Sequence, residues 1–325
     1  MAKRIRAEDK KEIEEKKNLE YDEERQKERR MNVAVKIITD SASNLNRELL
    51  DQYGIDMVSL TFERDGQVYP CYDPERSYDE QGKEFYDNLR AGKKVKTSLA
   101  SPGDYYACFQ KHLDRGEDIL YISISSKLSG TLNSAIAAKE MLEDEYPARK
   151  IVCMDSLSAS FGEAIVVIEA SKLAREGKNV EAIVEAVSSI RLNVRNEFTV
   201  DNLIYLKRGG RIESIMYLIG NILDIKPLLR ASKEATIELC RKVRGRENSL
   251  RALIDTVKET ILRPEEQTLY IAHCDCKDDA EKVAEGLKKE IPLLKKIYIS
   301  MYDFCTGAHV GPGTIALFYF GTARP

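Results

Sequence analysis

Apolar and β-branched residues recur along this chain in short runs, each followed by a polar loop and then by a stretch of helical period. Residues 33–39 predict a strand, 45–53 a helix closed by Gly54, and 55–62 the next strand. Asp65-Gly66 marks a turn, and 69–77 reads as a proline-containing loop. Helices are predicted near 79–91 and 103–115. The run 119–124 is almost wholly apolar, which fits a strand buried on both faces, and good helix formers follow from Ala135. Residues 150–154 repeat the pattern, with helices over 162–175 and 180–192. Strand–loop–helix units in series imply a parallel, doubly wound sheet.

Beyond residue 192 the texture changes. Residues 198–205 mix strand and turn residues, and Leu206-Lys-Arg-Gly-Gly-Arg-Ile212 is a basic, glycine-bearing turn ahead of an apolar run. Strands are predicted over 236–244, 269–273, 296–301 and 314–320, and helices over 248–262 and 278–290. The expected organisation is therefore an N-terminal α/β unit over 33–192 and an α+β unit over 193–325. Residues 1–32 stand apart: the first thirty hold 11 Lys/Arg and 10 Asp/Glu, with too few apolar positions for a core-facing stripe. They predict a charged helix or a disordered tail.

Composition narrows the function classes. The net charge of -3 gives no global pull toward nucleic acid or an anionic membrane. No apolar run approaches the ~20 residues that span a bilayer, and most of the seven scattered cysteines read as buried thiols of a reducing cytoplasm. Cys274-Asp-Cys276 lacks the further ligands of a zinc site, so no metal is expected. No glycine-rich nucleotide loop is present.

The candidate chemistry lies where predicted strands end. Asp40-Ser41, Ser125 to Thr131 and Asp155 to Ser160 are hydroxyl-rich loops, and ligands of such sheets sit at the carboxyl ends of strands. A helix opening after Gly130 points unpaired N–H groups outward, with Ser129 and Thr131 able to donate hydrogen bonds. That is a cradle for an anionic oxygen group; the plain structural alternative is that Ser129 or Thr131 caps its own helix. Thr97-Ser98 is expected at the same edge. His309, one of three histidines, stands just before Gly-Pro-Gly, where a packed residue or a turn residue is the ordinary reading.

Together Ile38-Thr-Asp-Ser41, Lys96-Thr-Ser98, Ser125-Ser-Lys-Leu-Ser-Gly-Thr131, Asp155-Ser156, Leu206 to Ile212 and His309-Val-Gly-Pro-Gly313 resemble the DegV family of bacterial fatty-acid-binding proteins. The resemblance runs from about residue 33 to 320. It implies a fatty acid held between the two units, its carboxylate buried and its tail in an apolar tunnel. It also implies a carrier without catalytic residues or cofactor, which presents the acid to a separate ATP-dependent fatty acid kinase for acyl-phosphate formation in phospholipid synthesis. Carried onto this sequence, Thr97, Ser98, Ser129, Gly130, Thr131 and His309 hold the carboxylate. The arginines Arg208, Arg211, Arg244 and Arg246, expected to be exposed, are then expected to meet the partner or the ATP phosphates. Leu99 and Ala100 stand where the family usually has Gln and Pro. Ile215 to Leu223 is the candidate apolar wall.

Two other readings use the same residues. A serine hydrolase would take Ser129 as nucleophile, His309 as base and Asp155 as orienter, but Lys127-Leu-Ser-Gly130 lacks the first glycine of a nucleophile elbow. A small phosphorylated ligand would fit the same cradle, since an anion site does not specify its anion.

Overall fold

The computed structural model describes residues 33–73, 75–212 and 225–325. The charged tail and the candidate wall 215–223 lie outside them. The architecture is mixed α/β, with the N-terminal parallel sheet and the second α+β half that the pattern predicts. β1 (Val35–Asp40), β2 (Asp56–Val58), β6 (Asp118–Ser123) and β7 (Ile151–Asp155) form a parallel sheet in the order β2-β1-β6-β7. All six residues of β6 are buried, because helices cover both faces of the sheet: α3 (Pro102–Leu113) and α4 (Thr131–Glu143) on one, α5 (Phe161–Arg175) and α6 (Val180–Ile190) on the other.

The predicted strand 55–62 is two strands. Between β2 and β3 (Thr61–Arg64), side chains take over from the ladder: Leu60 N donates to Ser41 Oγ at 2.9 Å, and Tyr72 N to Ser59 Oγ at 3.1 Å. The chain thereby leaves the parallel sheet and enters a small antiparallel one, β4-β3-β5, with β4 Gln67–Pro70 and β5 Val95–Ser98. Asp65 and Gly66, at φ 53° and 77°, make the tight turn between β3 and β4. Neither β4 nor β5 is among the predicted strands, and Tyr69 and Pro70 of β4 fall in the stretch read as a loop. Both are edge strands with mostly exposed or half-buried side chains, so neither carries an alternating apolar signature, and a proline is tolerated at such an edge.

The second sheet runs β10-β9-β8-β13-β11-β12. Its strands are β8 Val194–Thr199, β9 Ile225–Ala231, β10 Ile237–Arg244, β11 Thr268–His273, β12 Lys296–Met301 and β13 Ile315–Phe320. Only β11 and β12 are parallel. β9 escapes the sequence pattern because Pro227 interrupts it; Pro227 pairs with β10 but lies past the last residue of β8 that β9 pairs with, so no ladder bond to β8 is lost. Along β13, Ile315, Leu317 and Tyr319 pack against α8 (Arg246–Thr260) and α9 (Lys277–Glu290), while Ala316 and Phe318 face the first half of the molecule. The period of two thus buries both faces and seats the halves on each other.

Phe161, at the start of α5, is the central peg of that seat. It is fully buried and packs on Tyr270, Tyr298 and Phe318, with ring centroids 5.0, 5.8 and 6.2 Å away. Phe161→Ala is expected to lower the unfolding free energy by about 3–5 kcal/mol in urea titrations. Leu293→Ala, at a residue 57% exposed, serves as the control and is expected to change it by less than about 0.5 kcal/mol.

Candidate functional site

β1, β6 and β7 run parallel, so their carboxyl ends and the loops that follow meet at one edge of the sheet. Asp40 ties that edge together. Its carboxylate accepts from Tyr121 Oη at 2.9 Å, Ile124 N at 3.1 Å and Ala42 N at 2.9 Å. After β6 the chain winds back on Ser125, whose carbonyl accepts from Leu128 N and Ser129 N at 2.9 and 3.1 Å. This tight loop delivers Ser129 and Gly130 to the mouth of α4. Gly130 caps that helix without a side-chain hydrogen bond, so the terminus keeps donors for an external acceptor.

Ser129 Oγ lies 2.7 Å from Thr131 Oγ1 and accepts from Thr131 N at 3.3 Å. The self-capping alternative is therefore present in part. Thr131 is fully buried and holds Ser129 from behind. When the Thr131 hydroxyl donates to Ser129, the Ser129 O–H is left to donate outward.

The opposite wall comes from the second half. α7 (Ile204–Arg208) leads into the basic turn, and α10 (Phe304–Val310) carries His309. The segment 306–313, which lies between two predicted strands, opens in helix because Asp303 accepts from Thr306 N at 2.7 Å and caps it. His309 Nε2 stands 3.0 Å from Thr97 Oγ1 of β5. Burial, with a smaller contribution from the Arg211 charge, pushes the His309 pKa down to about 4, so the imidazole is neutral at pH 7. Gly209 makes room for it: a Cβ there would lie 2.2 Å from His309 Nδ1. Arg211 Nε donates to Leu128 O at 3.0 Å, and its Nη1 donates to Gly209 O. The guanidinium therefore clamps the basic turn to the loop that carries Ser129. Of the other histidines, His112 is locked between Asp56 and Glu117 at 2.7 Å each, and His273 ends β11.

These residues enclose a cavity of about 140 Å³. Thr97, Ser98, Ser129, Gly130, Arg211 and His309 form its polar side, with Leu60, Leu99, Ile124 and Leu206 among its apolar walls. Leu128, Ile237, Thr306 and Val310 also wall a second cavity of about 60 Å³, lined beyond them by Phe198, Ala231, Ala235 and Phe318. Side by side, they set a rim of hydrogen-bond donors next to an apolar interior. On the outer side, Thr97, Arg211 and His309 are shared with a third space of about 1030 Å³. Burial also raises two carboxyls near this edge, Asp40 to about 6 and Asp303 to about 8. Asp303 is thus mostly protonated at neutral pH and adds little repulsion against an incoming anion.

The structure brings Thr97, Ser98, Ser129, Gly130, Arg211 and His309 together and sets Thr131 behind them. The arginines do not form one group. Arg208 is exposed at the rim of the outer space, and Arg211 is turned inward on backbone carbonyls. Arg244 ends β10 while Ile237 at its start lines the cavity, which places Arg244 on the order of 20 Å away at ~3.4 Å per residue. Arg246 is paired with Asp279 at 2.8 Å. The hydrolase triad is not assembled. Asp155 accepts from Ser126 N at 3.0 Å and Leu157 N at 2.6 Å, His309 is engaged with Thr97, and Ser129 with Thr131. The one wall offered from sequence, Ile215 to Leu223, lies outside the described residues; Leu128, Ile237 and Val310 were not foreseen, because they come from a loop, a strand and a helix far apart in the chain. Lys93, Lys94 and Lys96, which line the outer space, were missed too; their adjacency to Thr97 was the available signal.

The geometry defines an α/β protein in which a cluster of hydrogen-bond donors adjoins an apolar interior. The sequence model described as "Uncharacterised protein, DegV family" matches residues 34–322, and the chain belongs to the DegV family. A DegV domain-containing protein of Clostridium perfringens is 35% identical over 89% of this chain and 98% of its own length. Among solved structures, a DegV family protein from Thermus thermophilus described for its fatty acid binding superposes with a TM-score of 0.78 at 26% identity, covering 89% of this chain and 100% of that one. A DegV family protein from Ruminococcus gnavus, described with vaccenic acid, gives 0.77 at 27% identity over 87% and 99%. DegV of Bacillus subtilis, described as a fatty acid binding protein, gives 0.75 at 25% identity over 88% and 98%.

Two measurements test the site. The ring protons of His309 are expected to titrate near pH 4 in NMR, not near the ordinary 6.5. Because the folded value is depressed, the unfolded chain takes up the proton first. The contribution of the neutral ring to stability is complete above about pH 6.5 and is lost as the pH falls toward 4. In Gly209→Ala the added methyl displaces the ring from Thr97, and its pKa is expected to return toward 6.5 with an unchanged far-ultraviolet circular dichroism spectrum.

Proposed function

We propose that this protein binds one long-chain fatty acid, its carboxylate on Thr97, Ser98, Ser129, the Gly130 N–H and His309, and its tail in the apolar interior. The observation that carries the reading is the order of chemistry along the adjoining cavities: neutral hydrogen-bond donors at the mouth, then Leu, Ile, Val and Phe side chains. A carboxylate taken out of water costs several kcal/mol unless it is hydrogen-bonded. Hydroxyls, an N–H and a neutral imidazole supply that without a buried counter-charge. The acyl chain gains about 0.8 kcal/mol per buried CH₂, so the tail supplies the affinity and the head the orientation.

In this reading the protein is a carrier in the cytoplasm. A separate kinase phosphorylates the presented carboxylate, and the acyl phosphate enters phospholipid synthesis. Arg208, exposed at the rim, is the arginine best placed to meet that kinase. Arg211 acts from inside as a clamp, and a contact at Arg244 requires a partner that reaches the far end of β10. Fatty acid binding in the related structures supports the first part of the reading, and the exposed rim beside the cradle supports presentation.

The deciding measurement is mass spectrometry of an organic extract of the purified protein. One fatty acid at near-equimolar amount is expected, and Ser129→Ala and His309→Ala are each expected to weaken rebinding of it by about tenfold, near the ~1.4 kcal/mol typical of a lost charge-assisted hydrogen bond. A clean extract from protein that also fails to take up added oleate sinks the reading.

A further inference from the structure

One residue of the cavity wall has no part in the function proposed above. Cys305 lines the same cavity as Thr97, Ser129 and His309. It stands one helical turn before His309 on α10, so the two side chains share a face of that short helix. A second thiol meets it from the first half of the molecule. Cys71 follows β4, and its N–H donates to Leu60 O at 2.7 Å, while Leu60 lines the cavity with Cys305. Phe304 packs on Phe62 of β3 and on Phe85, with ring centroids 6.4 and 5.2 Å away. That packing seats the start of α10 on the small antiparallel sheet. The Cys305 thiol stands within hydrogen-bonding reach of the Cys71 thiol; burial first, and this neighbour second, push Cys71 well above the ordinary thiol value. Cys71 is 1% exposed and Cys305 9%, so Cys305 is the one open to the cavity. The other cysteines lie elsewhere: Cys108 in α3, Cys153 in β7, Cys240 in β10, and Cys274 beside Tyr86 and Cys276.

We propose that Cys71 and Cys305 form a redox-sensitive dithiol, which a peroxide entering the empty cavity converts to a disulfide that staples the two halves and blocks loading of the acid. The dithiol stands on the meeting of the two thiols; its effect on loading rests on the fatty-acid reading above. In the first step the Cys305 sulfur bonds to one peroxide oxygen, the O–O bond breaks, and water leaves, so Cys305 becomes a sulfenic acid. In the second step the Cys71 sulfur bonds to the Cys305 sulfur, the S–O bond breaks, and a second water leaves. Two electrons pass from the sulfurs to the peroxide, and both thiol hydrogens end in water. A cytoplasmic disulfide of this kind is transient and is reopened by a thiol reductant. A bound acyl chain covers Cys305 and shuts out the peroxide, so the empty protein is the form that is oxidised. The cavity takes Leu60, Thr97 and Ser129 from the first half and Cys305 and His309 from the second. An acyl chain entering between them has to part those walls, and a covalent bond across them opposes the movement.

The test uses the full chain, delipidated and reduced, then treated with hydrogen peroxide, alkylated with N-ethylmaleimide and digested with trypsin without reductant. Cys71 then lies in the peptide 65–76 and Cys305 in 297–325, each with no other cysteine. These two peptides are expected as the main disulfide-linked pair, separated by dithiothreitol. Preloading with oleate is expected to slow the cross-link by at least about tenfold, since thiol oxidation follows access. Uptake of a fluorescent fatty acid by the oxidised protein is expected to be at least about tenfold slower than by the reduced protein, as for binding that awaits a conformational change. Dithiothreitol is expected to restore it, and peroxide is expected to leave the uptake rate of Cys71→Ala unchanged. Should that variant fold poorly, the wild-type peptide map and the reversal by dithiothreitol decide alone. A different disulfide, a Cys305 sulfinic acid without cross-link, or free thiols at both positions after peroxide overturns the dithiol and leaves oleate binding untouched. Cross-linked protein that loads as fast as reduced protein overturns the block. If reduced protein itself takes up no fatty acid, the fatty-acid reading is wrong and the block falls with it, whereas the cross-link is still read directly from the peptide map.

Discussion

The molecule depends on a sheet that cannot be left half-covered. β11 and β13 alternate apolar residues on both sides, so helices α8 and α9 bury only half of what they present. The other half, including Tyr270 and Phe318, requires a second apolar surface, which α5 provides through Phe161. At about 25 cal/mol per Å² of apolar area removed from water, that closure holds the halves in one register. The cradle is a by-product of this register: Thr97 and Ser129 come from the first half, His309 and Arg211 from the second, and no part of the chain contains them all.

The site separates its electrostatics by depth. Inside, where burial penalises charge, the groups are hydroxyls, a backbone donor, a neutral imidazole and a carboxyl raised to about 8 at Asp303. The one cation at the inner wall, Arg211, is satisfied by two carbonyls. Outside, where water screens charge, the uncommitted lysines and Arg208 collect. For the carboxylate proposed above, this arrangement would give attraction at the rim and directional hydrogen bonds within, without the desolvation cost of a buried ion pair.

The same division explains what could be read in advance. Strands buried on both faces and helices with caps announce themselves, because β6 carries the apolar Ile119, Leu120 and Ile122 in a wholly buried strand and Ser101 precedes a helix that starts at Pro102. Ser129 and Gly130 were legible since the strand, loop and helix that present them are contiguous. β4, β5 and β9 were not, because two are exposed edges and the third is interrupted by Pro227, and β-pairing partners lie far off in the chain. The short helix carrying His309 was hidden by the Gly-Pro-Gly that follows it.

Sequence by itself determined the α/β class, the parallel first sheet, the hydroxyl loops at its carboxyl edge and, through six short motifs in order, the family. Tertiary structure alone decided that Thr97 meets His309 across 212 positions of chain, that Arg211 turns inward while Arg208 stays at the rim, and that Arg244 stands apart. Local propensity acts over a few residues and is written in them; which donors face one cavity depends on how two apolar surfaces close on each other, and no single stretch of chain holds that information.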